Sequence, residues 1–452
     1  MSRRVKLIGA LTLIAIIGAF TPAAAAAAGV PAAPTFTKDI APIFQAKCEA
    51  CHRPGSIAPM SLVSYEDTRP WMRVIKSRVE ARQMPPWHID KTVGIQEFKN
   101  DRSLSDDQIE TIVKWIDSGA PKGDPKDMPA AVVWPDESKW NFAEMFGGPP
   151  DLIIKSTPWM QKARANDAWW RPVVETGLTE ERWVRAIEIR PSTVKGRAIT
   201  HHAIARLQQV EPDAEPTPVA APGAIDLGDF ANTGTFMEWA VGKQGEIMRP
   251  NSGKLMLPGS RIVWDIHYSS AGEDITDAVE LGIYFYPKGQ EPKYRQTLHL
   301  MGTDGIDIPP NSVKATQGFF VLRKAARVES FQPHMHLRGK AMSMEAILPT
   351  GQSQILSHVA DYSFNWHNSY VYTDEAAPLL PKGTILKITA WHDNTSAKKS
   401  NPEPNTWVGG GGRTVDEMAH AWVNVTYLSD EDYQAEVDAR KAKAATTQQQ
   451  QQ

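Results

Sequence analysis

Cysteine is scarce in this chain: there are two in 452 residues, Cys48 and Cys51, and both belong to one Cys-x-x-Cys-His motif. If that motif uses both thiols, no disulfide remains to stabilise the rest of the protein. Buried apolar side chains and bound metal must then hold it together. An excess of charge of one sign is also missing, because the formal net charge is only −3. This balance gives no basis for binding nucleic acid or an anionic membrane.

Long apolar runs are missing beyond the first 28 residues. At the N-terminus Arg3, Arg4 and Lys6 precede an apolar run over 7–20 and a small-residue zone over 23–28. This is the pattern of a cleaved signal peptide. We predict a signal peptide over 1–28, export to the periplasm or beyond, and no membrane span after cleavage. An uncleaved anchor is the alternative, although the run is short for a span.

The length predicts several domains, and the texture of the sequence suggests where they lie. The first part of the sequence has helical patterns interrupted by prolines, and the part that follows is rich in Pro, Gly and Trp. In the remainder, β-type runs alternate with turns. We predict a multidomain protein with an all-α domain followed by two all-β sandwich domains. The predicted bounds are 36–123 for the α domain, 124–150 for a linker, 151–288 and 289–430 for the sandwiches, and 431–452 for a helical or disordered tail.

The Cys48-x-x-Cys51-His52 motif is typical of covalent haem attachment. Its two thiols are one helical turn apart, so both can reach the porphyrin, and the adjacent imidazole of His52 then falls under the iron. A zinc or redox motif is the less favoured alternative. The sequence therefore predicts one c-type haem held by these three residues.

A second helix is indicated after residue 104. Ser105 is a helix cap with Gln108 completing a capping box, and Gly119 ends the helix. A haem helix crossed by such a C-terminal helix resembles the arrangement of class I c-type cytochromes. The resemblance implies a cytochrome c domain over 36–123.

The sixth iron ligand is predicted to be Met84, in the sequence RQMPPW. A methionine flanked by two prolines in a loop has little packing reason to be there, and a thioether gives the haem a raised potential. Met60 and Met72 are rivals. His88 would give a lower potential.

Five further histidines form a pattern in the β-rich region: His201-His202, His267, and His334-x-His336. Residues i and i+2 of a strand point to the same face, so the last two imidazoles can bind one ion. Adjacent strand residues point to opposite faces. The first pair can therefore share a metal only where the chain twists or bulges.

The order HH, DIHY, PHMHLRGK and DEM resembles the copper type II, ascorbate-dependent monooxygenase family over about residues 150–430. The resemblance implies two jelly-roll-like sandwiches that each hold one copper across an open, solvent-filled cleft. It also implies the ligands: His201, His202 and His267 for an electron-storage copper, and His334, His336 and Met418 for the copper that activates dioxygen. A thioether favours Cu(I), the oxidation state that reacts with dioxygen.

Some positions depart from the family pattern. Gln332 stands where the peptide-amidating member has an arginine for the peptide carboxylate, and Trp422 stands where that member has a substrate-contacting tyrosine. Amidating activity is therefore not expected. The remaining histidines have no matched ligand role and are interpreted as structural or surface residues, with His420 a possible neighbour of the ligands: His299, His358, His367, His392 and His420.

The expected function is a periplasmic, haem-fused copper monooxygenase that hydroxylates a C–H bond of a small organic substrate with O₂. His334, His336 and Met418 would carry the catalysis. Electrons would arrive through the haem, from a cytochrome pool or an ascorbate-like reductant. The alternatives are a non-enzymatic electron-transfer or copper-binding c-type cytochrome, and an oxidase that reduces O₂ only to peroxide. The histidine sites could also hold zinc.

Overall fold

The computed structural model describes residues 29–56, 58–134, 139–210, 233–240, 243 and 245–450. The predicted signal peptide over 1–28 lies outside this part of the chain. Strands make up 36% of the protein and helices 18%, so the fold is mainly β. This confirms the prediction of a β-rich protein, and the several sheets are consistent with sandwich domains, whereas the all-α domain stays a prediction.

Helices lie mainly near the two ends of the described chain. The α-helices are α1 (Ala41–Lys47), α2 (Tyr65–Thr68), α3 (Met72–Glu80), α4 (Asp106–Asp117), α5 (Ala143–Phe146), α6 (Gly196–Ile199) and α7 (Asp430–Gln450). A π-helical turn, Phe36–Ile40, leads into α1, and 3-10 turns occupy Arg69–Trp71 and Pro125–Asp127. Within the described ranges, no helix is both long and apolar enough to cross a membrane.

The helices before residue 121 share one apolar core. Phe36, Phe44 and Trp115 are each at most 1% exposed within it. Helix α4 begins with the predicted capping box: the Ser105 hydroxyl accepts the N–H of Gln108, and the Gln108 side chain accepts the N–H of Ser105. That part of the sequence prediction is confirmed, because two otherwise unpaired backbone donors are satisfied by side chains in reciprocal fashion.

The strands begin at residue 152. They are β1 (Leu152–Lys155), β2 (Trp159–Gln161), β3 (Ala168–Trp170), β4 (Val173–Glu175), β5 (Arg182–Pro191), β6 (Thr200–Gln208), β7 (Thr233–Ala240), β8 (Glu246–Ile247), β9 (Ser252–Met256), β10 (Arg261–Tyr268), β11 (Ile275–Asp277) and β12 (Val279–Phe285). They continue as β13 (Tyr294–Thr303), β14 (Asp307–Ile308), β15 (Val313–Val321), β16 (Ala325–His334), β17 (Gly339–Ile347), β18 (Ser353–Val359), β19 (Tyr370–Val371), β20 (Leu379–Leu380), β21 (Ile385–Asp393), β22 (Val408–Gly409) and β23 (Ala419–Leu428).

One long sheet runs through the whole β region. Its ten strands include the path β1-β12-β5-β9-β13-β23-β16-β19. A five-stranded sheet containing β3-β10-β6-β7 covers one half of it, and a four-stranded sheet, β15-β21-β17-β18, covers the other. Strands β9 and β13 pair in parallel and join the two halves. The sheet therefore continues across the predicted boundary at residues 288 and 289.

Each half encloses its own apolar core. The first core is made by residues between 154 and 285, and the second by residues between 301 and 425. Three side chains from the region predicted as the cytochrome domain also enter the second core: Trp87, Ile89 and Phe98. Their backbone pairs with the β region, since Ile89 bridges Val359 and Phe98 bridges Tyr372. The chain after α3 therefore packs on the second β core before it returns to α4.

Candidate functional site

A β-bulge at His201 brings three imidazoles together. In the antiparallel pair of β6 and β10, His267 lies opposite His202 and Tyr268 lies opposite Thr200, so His201 is an extra residue. A bulge of this kind re-aims a side chain that strict alternation would turn away. The ligand atoms of His201, His202 and His267 lie within 4.8 Å of one another. The bulge that the adjacent histidines need in order to share a metal is therefore present.

The orientation of His267 is fixed from two sides. Its Nε2 donates to the carboxylate of Asp167 at 3.0 Å. Its ring stacks on Trp169, which lies opposite it on β3, with the centroids 4.4 Å apart and the planes 9° from parallel. Because Nε2 carries the proton, Nδ1 is the nitrogen left for a metal. A carboxylate on the far ring nitrogen is a common support for a metal-binding histidine.

The Nδ1 atoms of His201 and His202 are buried and have no hydrogen-bond partner among the described residues. A buried polar atom without a partner costs free energy unless something satisfies it. Burial lowers the pKa of His201 to about 4 and that of His202 well below its ordinary value. Both rings are thus neutral at pH 7, the form that binds metal. The unpaired nitrogens fit a copper or zinc ion.

The second pair lies at the end of β16. His334 is its last residue, and the rings of His334 and His336 have centroids 5.4 Å apart. Both are buried, at 3% and 5% exposure. The Nδ1 of His336 donates to the carbonyl oxygen of Asp416 at 3.0 Å, which leaves Nε2 for a metal. Burial lowers the pKa of His336 to about 4.

Met418 lies in a segment that is hydrogen-bonded to His336. The Glu417 carboxylate accepts the backbone N–H of His336 at 2.8 Å and that of Arg338 at 2.6 Å. The carbonyl oxygen of Met418 accepts Nε2–H of His392 at 3.0 Å. Met418 itself is half-buried and immediately precedes β23. Glu417 and His392 thus fix the backbone of Met418 in a segment that is hydrogen-bonded to His336.

The two groups of ligands are not separated by the open cleft that the family resemblance implies. The rings of His202 and His334 have centroids 5.9 Å apart. The loop between β18 and β19 fills the space around them: Phe364 stacks on His201 at 4.9 Å, and His367 lies 4.8 Å from His334. The structure therefore contains one buried imidazole cluster in place of two sites across solvent.

Sequence reasoning missed His367. The sequence predicts a structural or surface role for it, but it is 3% exposed and its ring lies within 6.2 Å, centroid to centroid, of His201, His202 and His334. Its sequence context, SFNWHNSY, has no second histidine at strand spacing. The supporting residues Asp167 and Trp169 were also missed, because nothing in NDAWW ties them to a histidine one hundred residues away.

The segment from Cys48 to His52 forms a single backbone turn. The N–H of His52 donates to the carbonyl of Cys48 at 2.9 Å, so the two thiols and the imidazole share one helical turn. The two cysteines form no disulfide with each other, and Cys48 packs against the helical core. The Nδ1 of His52 donates to the carbonyl of Met60 at 3.2 Å, which leaves Nε2 for iron. These residues fit a c-type haem.

The rivals for the sixth iron ligand are placed differently. Met60 and Met72 pack against the helical core, where a methionine has an ordinary packing role. Met84 is half-buried, and the loop that follows it is anchored because the carbonyl of Pro86 accepts Nδ2–H of Asn368 at 2.8 Å. His88 belongs to the β region, where its backbone N–H donates to the Tyr370 hydroxyl at 3.3 Å. Met84 remains the predicted ligand.

The positions that depart from the family pattern are buried. Gln332 is 1% exposed, and its side-chain amide donates to the carboxylate of Glu238. Trp422 lies against His334 with the ring centroids 4.8 Å apart. His420 lies opposite His334 on β23 and pairs with the carboxylate of Asp304 at 2.8 Å.

Comparisons with known proteins give no assignment. No protein-family model and no curated protein matches the sequence. The major capsid protein P2 of bacteriophage PM2 is 12% identical, with 62% of this chain and 97% of that chain covered and a TM-score of 0.25. The subviral particle protein VP2 of infectious bursal disease virus is also 12% identical, with 62% and 74% covered and a TM-score of 0.17. Similarities this weak carry no argument about fold or function.

Proposed function

We propose that this chain is an exported, haem-containing copper monooxygenase that hydroxylates a C–H bond of a small organic substrate with O₂. The observation that carries the proposal is the bulge at His201, which gathers His201, His202 and His267 so that their ligand atoms lie within 4.8 Å. A bulged His-His pair has no evident packing purpose. Its position beside a second histidine pair supports redox chemistry over a purely structural site.

The residues divide into two donor sets. His201, His202 and His267 would hold one copper, and His334, His336 and Met418 the other. Copper supplies one-electron chemistry between Cu(I) and Cu(II), and imidazoles suit both states whereas a thioether favours the reduced one. The protein holds the rings neutral by burial and fixes their tautomers through Asp167 and the carbonyl of Asp416.

The N-terminal helices would form a class I cytochrome c domain with Cys48, Cys51 and His52 holding the haem and Met84 as the sixth ligand. A c-type haem transfers one electron at a time. The hydrogen bond from Asn368 to the carbonyl of Pro86 supports delivery of electrons from this domain, because it ties the Met84 loop to the residue next to His367. The external donor would be a cytochrome pool or a small reductant such as ascorbate.

The substrate is proposed to be small and not anchored by a carboxylate. Gln332 offers no positive charge of its own, its amide is engaged by Glu238 and Lys243, and the Lys243 ammonium group is already paired with Glu238 and Glu246. Trp422 contributes an apolar ring beside His334. These two contacts support an uncharged organic substrate over a peptide with a free C-terminus.

The test is ¹⁸O₂ incorporation by the full-length, copper-loaded protein with a chemical reductant and a library of small organic compounds. An ¹⁸O-labelled alcohol is expected from the unmodified chain and from His358→Ala, whose ring packs on Trp391. The double variant His334→Ala/His336→Ala should give none. Labelled product from the double variant would refute the proposal, and so would hydrogen peroxide as the sole product of O₂ in the unmodified chain.

A copper-binding electron-transfer protein is the second candidate, and burial of the cluster favours it. His267, His334 and His367 are each 3% exposed. In that case the loaded, reduced protein would pass electrons to an oxidised partner cytochrome but would form no oxygenated product in the ¹⁸O₂ experiment.

A further inference from the structure

His367 occupies the position between the two donor sets. It lies in the loop between β18 and β19, and its ring centroid is 4.8 Å from that of His334, 5.5 Å from that of His201 and 6.2 Å from that of His202. No other described histidine outside the two predicted sets has ring contacts with members of both. Its location is therefore central to the cluster.

The loop that carries His367 is rigidly attached. The Tyr362 hydroxyl donates to the carbonyl of Met335 at 2.7 Å and accepts the N–H of the same residue at 3.0 Å. Met335 stands between His334 and His336, so this double contact clamps the loop to the second pair. At its other end, Asn368 donates to the carbonyl of Pro86. A side chain held this firmly is preorganised for a ligand.

The closest contact of His367 is with His334. Their Nδ1 atoms are 3.2 Å apart. Two imidazole nitrogens bound to one tetrahedral metal at about 2.0–2.1 Å are roughly 3.3–3.4 Å from each other, so this separation fits a shared metal ion.

We propose that His367 is a seventh ligand side chain, which binds a transition-metal ion together with His334 at the junction of the two donor sets. Imidazoles that are neutral and buried suit copper and zinc. The proposal rests on the proposed metal binding by the two predicted sets, but it concerns a residue that neither set includes.

The alternative is that His367 only accepts a hydrogen bond from Nδ1–H of His334 and so positions it. The two roles respond differently to substitution. His367→Gln keeps a side-chain carbonyl that can accept this hydrogen bond but removes the imidazole ligand, whereas His367→Ala removes both. His358→Gln is the matched control, because His358 lies on the neighbouring strand β18 and packs on Trp391.

The experiment measures Cu(I) affinity of the full-length protein by competition with a chromogenic Cu(I) chelator, with circular dichroism and the haem absorption spectrum confirming the fold. A loss of affinity of about tenfold or more is expected for both His367→Gln and His367→Ala, with His358→Gln unchanged. Affinity of His367→Gln equal to that of the unmodified chain would overturn the proposal. If the variants do not fold, imidazole ¹⁵N chemical shifts of the unmodified chain decide instead: addition of Zn²⁺ should move the His367 Nδ1 resonance to the position of a metal-bound nitrogen, and an Nδ1 that keeps the shift of a hydrogen-bond acceptor overturns the proposal. Failure of the unmodified chain to bind any copper or zinc would refute the metal centre as a whole.

Discussion

The imidazole rings of His202 and His334 lie with their centroids 5.9 Å apart, although His202 belongs to the five-stranded sheet and His334 to the ten-stranded sheet. Each residue is fixed by its own strand pairing, His202 opposite His267 and His334 opposite His420. The relative position of the two sheets therefore sets the distance between the two donor sets. Any ion bound by one set lies close to the other.

This proximity has a spectroscopic consequence. We expect the electron paramagnetic resonance spectrum of the protein loaded with Cu²⁺ at both sets to show dipolar broadening. The variant His267→Ala, which weakens one set, should give the narrow spectrum of an isolated copper. A spectrum of the fully loaded protein that is a simple sum of two unbroadened signals would contradict the close arrangement.

Asp167 is expected to strengthen metal binding through His267. Its carboxylate accepts Nε2–H of His267 and also the hydroxyl of Thr414 at 3.3 Å. The substitution Asp167→Asn should lower metal affinity by about 10–100-fold, since loss of such support loosens the tautomer and the ring orientation. Chelator competition measures the change. The exposed pair of Asp274 with Lys162 offers the control, and Asp274→Asn should leave the affinity unchanged.

Glu417 should act in the same way on the second donor set. Its two carboxylate oxygens accept the N–H groups of His336 and Arg338, so Glu417→Gln replaces one acceptor by an amide that cannot accept. We expect about a 10–100-fold weaker second copper site and an unfolding free energy lower by about 1–3 kcal/mol. Calorimetric copper titration and chemical denaturation test both effects. Glu403→Gln, at an exposed carboxylate, is the comparison, and equal losses in the two variants would contradict the assigned role.

A buried ion network beside the cluster should control acid stability. Glu246 accepts Nζ–H of Lys243 and of Lys254, each at 2.9 Å. Burial alone would raise the pKa of Glu246, but the two ammonium groups outweigh it and lower the pKa below the ordinary 4.5. A carboxyl group whose pKa is lower in the folded than in the unfolded state stabilises the fold at every pH above its unfolded-state pKa. That contribution is lost as the pH falls below about 4.5.

The substitution Glu246→Ala leaves two buried ammonium groups without this partner. It should lower the unfolding free energy at pH 7 by about 3–5 kcal/mol. Urea denaturation followed by tryptophan fluorescence at several pH values is the measurement. As the pH falls below 4.5, the unfolding free energy of the variant should decrease less than that of the unmodified chain. Glu273→Ala, which breaks an exposed pair with Lys195, should change little, and an equally small effect at Glu246 would refute the network's role.

Local features of the fold were predictable from the sequence where neighbouring residues determine them. The capping box of α4 needs only Ser105 and Gln108, three residues apart, and it was predicted correctly. The alternation of β-type runs likewise predicted a β-rich region, because strand periodicity is written in consecutive residues. The insertion of Trp87 and Phe98 into the second β core was not foreseen, since it depends on contacts about 270 residues apart in the chain.

In the histidine site, too, some features follow from the local sequence and others depend on the tertiary structure. The motifs identified His201, His202 and His267, and the need for a bulge followed from strand geometry, but its presence depends on how β6 pairs with β10. His367 carries no motif and joins the cluster only because Tyr362 and Asn368 hold its loop in place. The closeness of His202 and His334 depends on packing between sheets, which no local pattern specifies.

The central claim is that the bulged pair and His267 hold one copper ion, and the copper content of the purified, copper-loaded full-length protein tests it most directly. Metal analysis should find about two copper ions per chain in the unmodified protein and in His358→Ala, but about one in His267→Ala. Equal copper content in His267→Ala and the unmodified protein would contradict the claim.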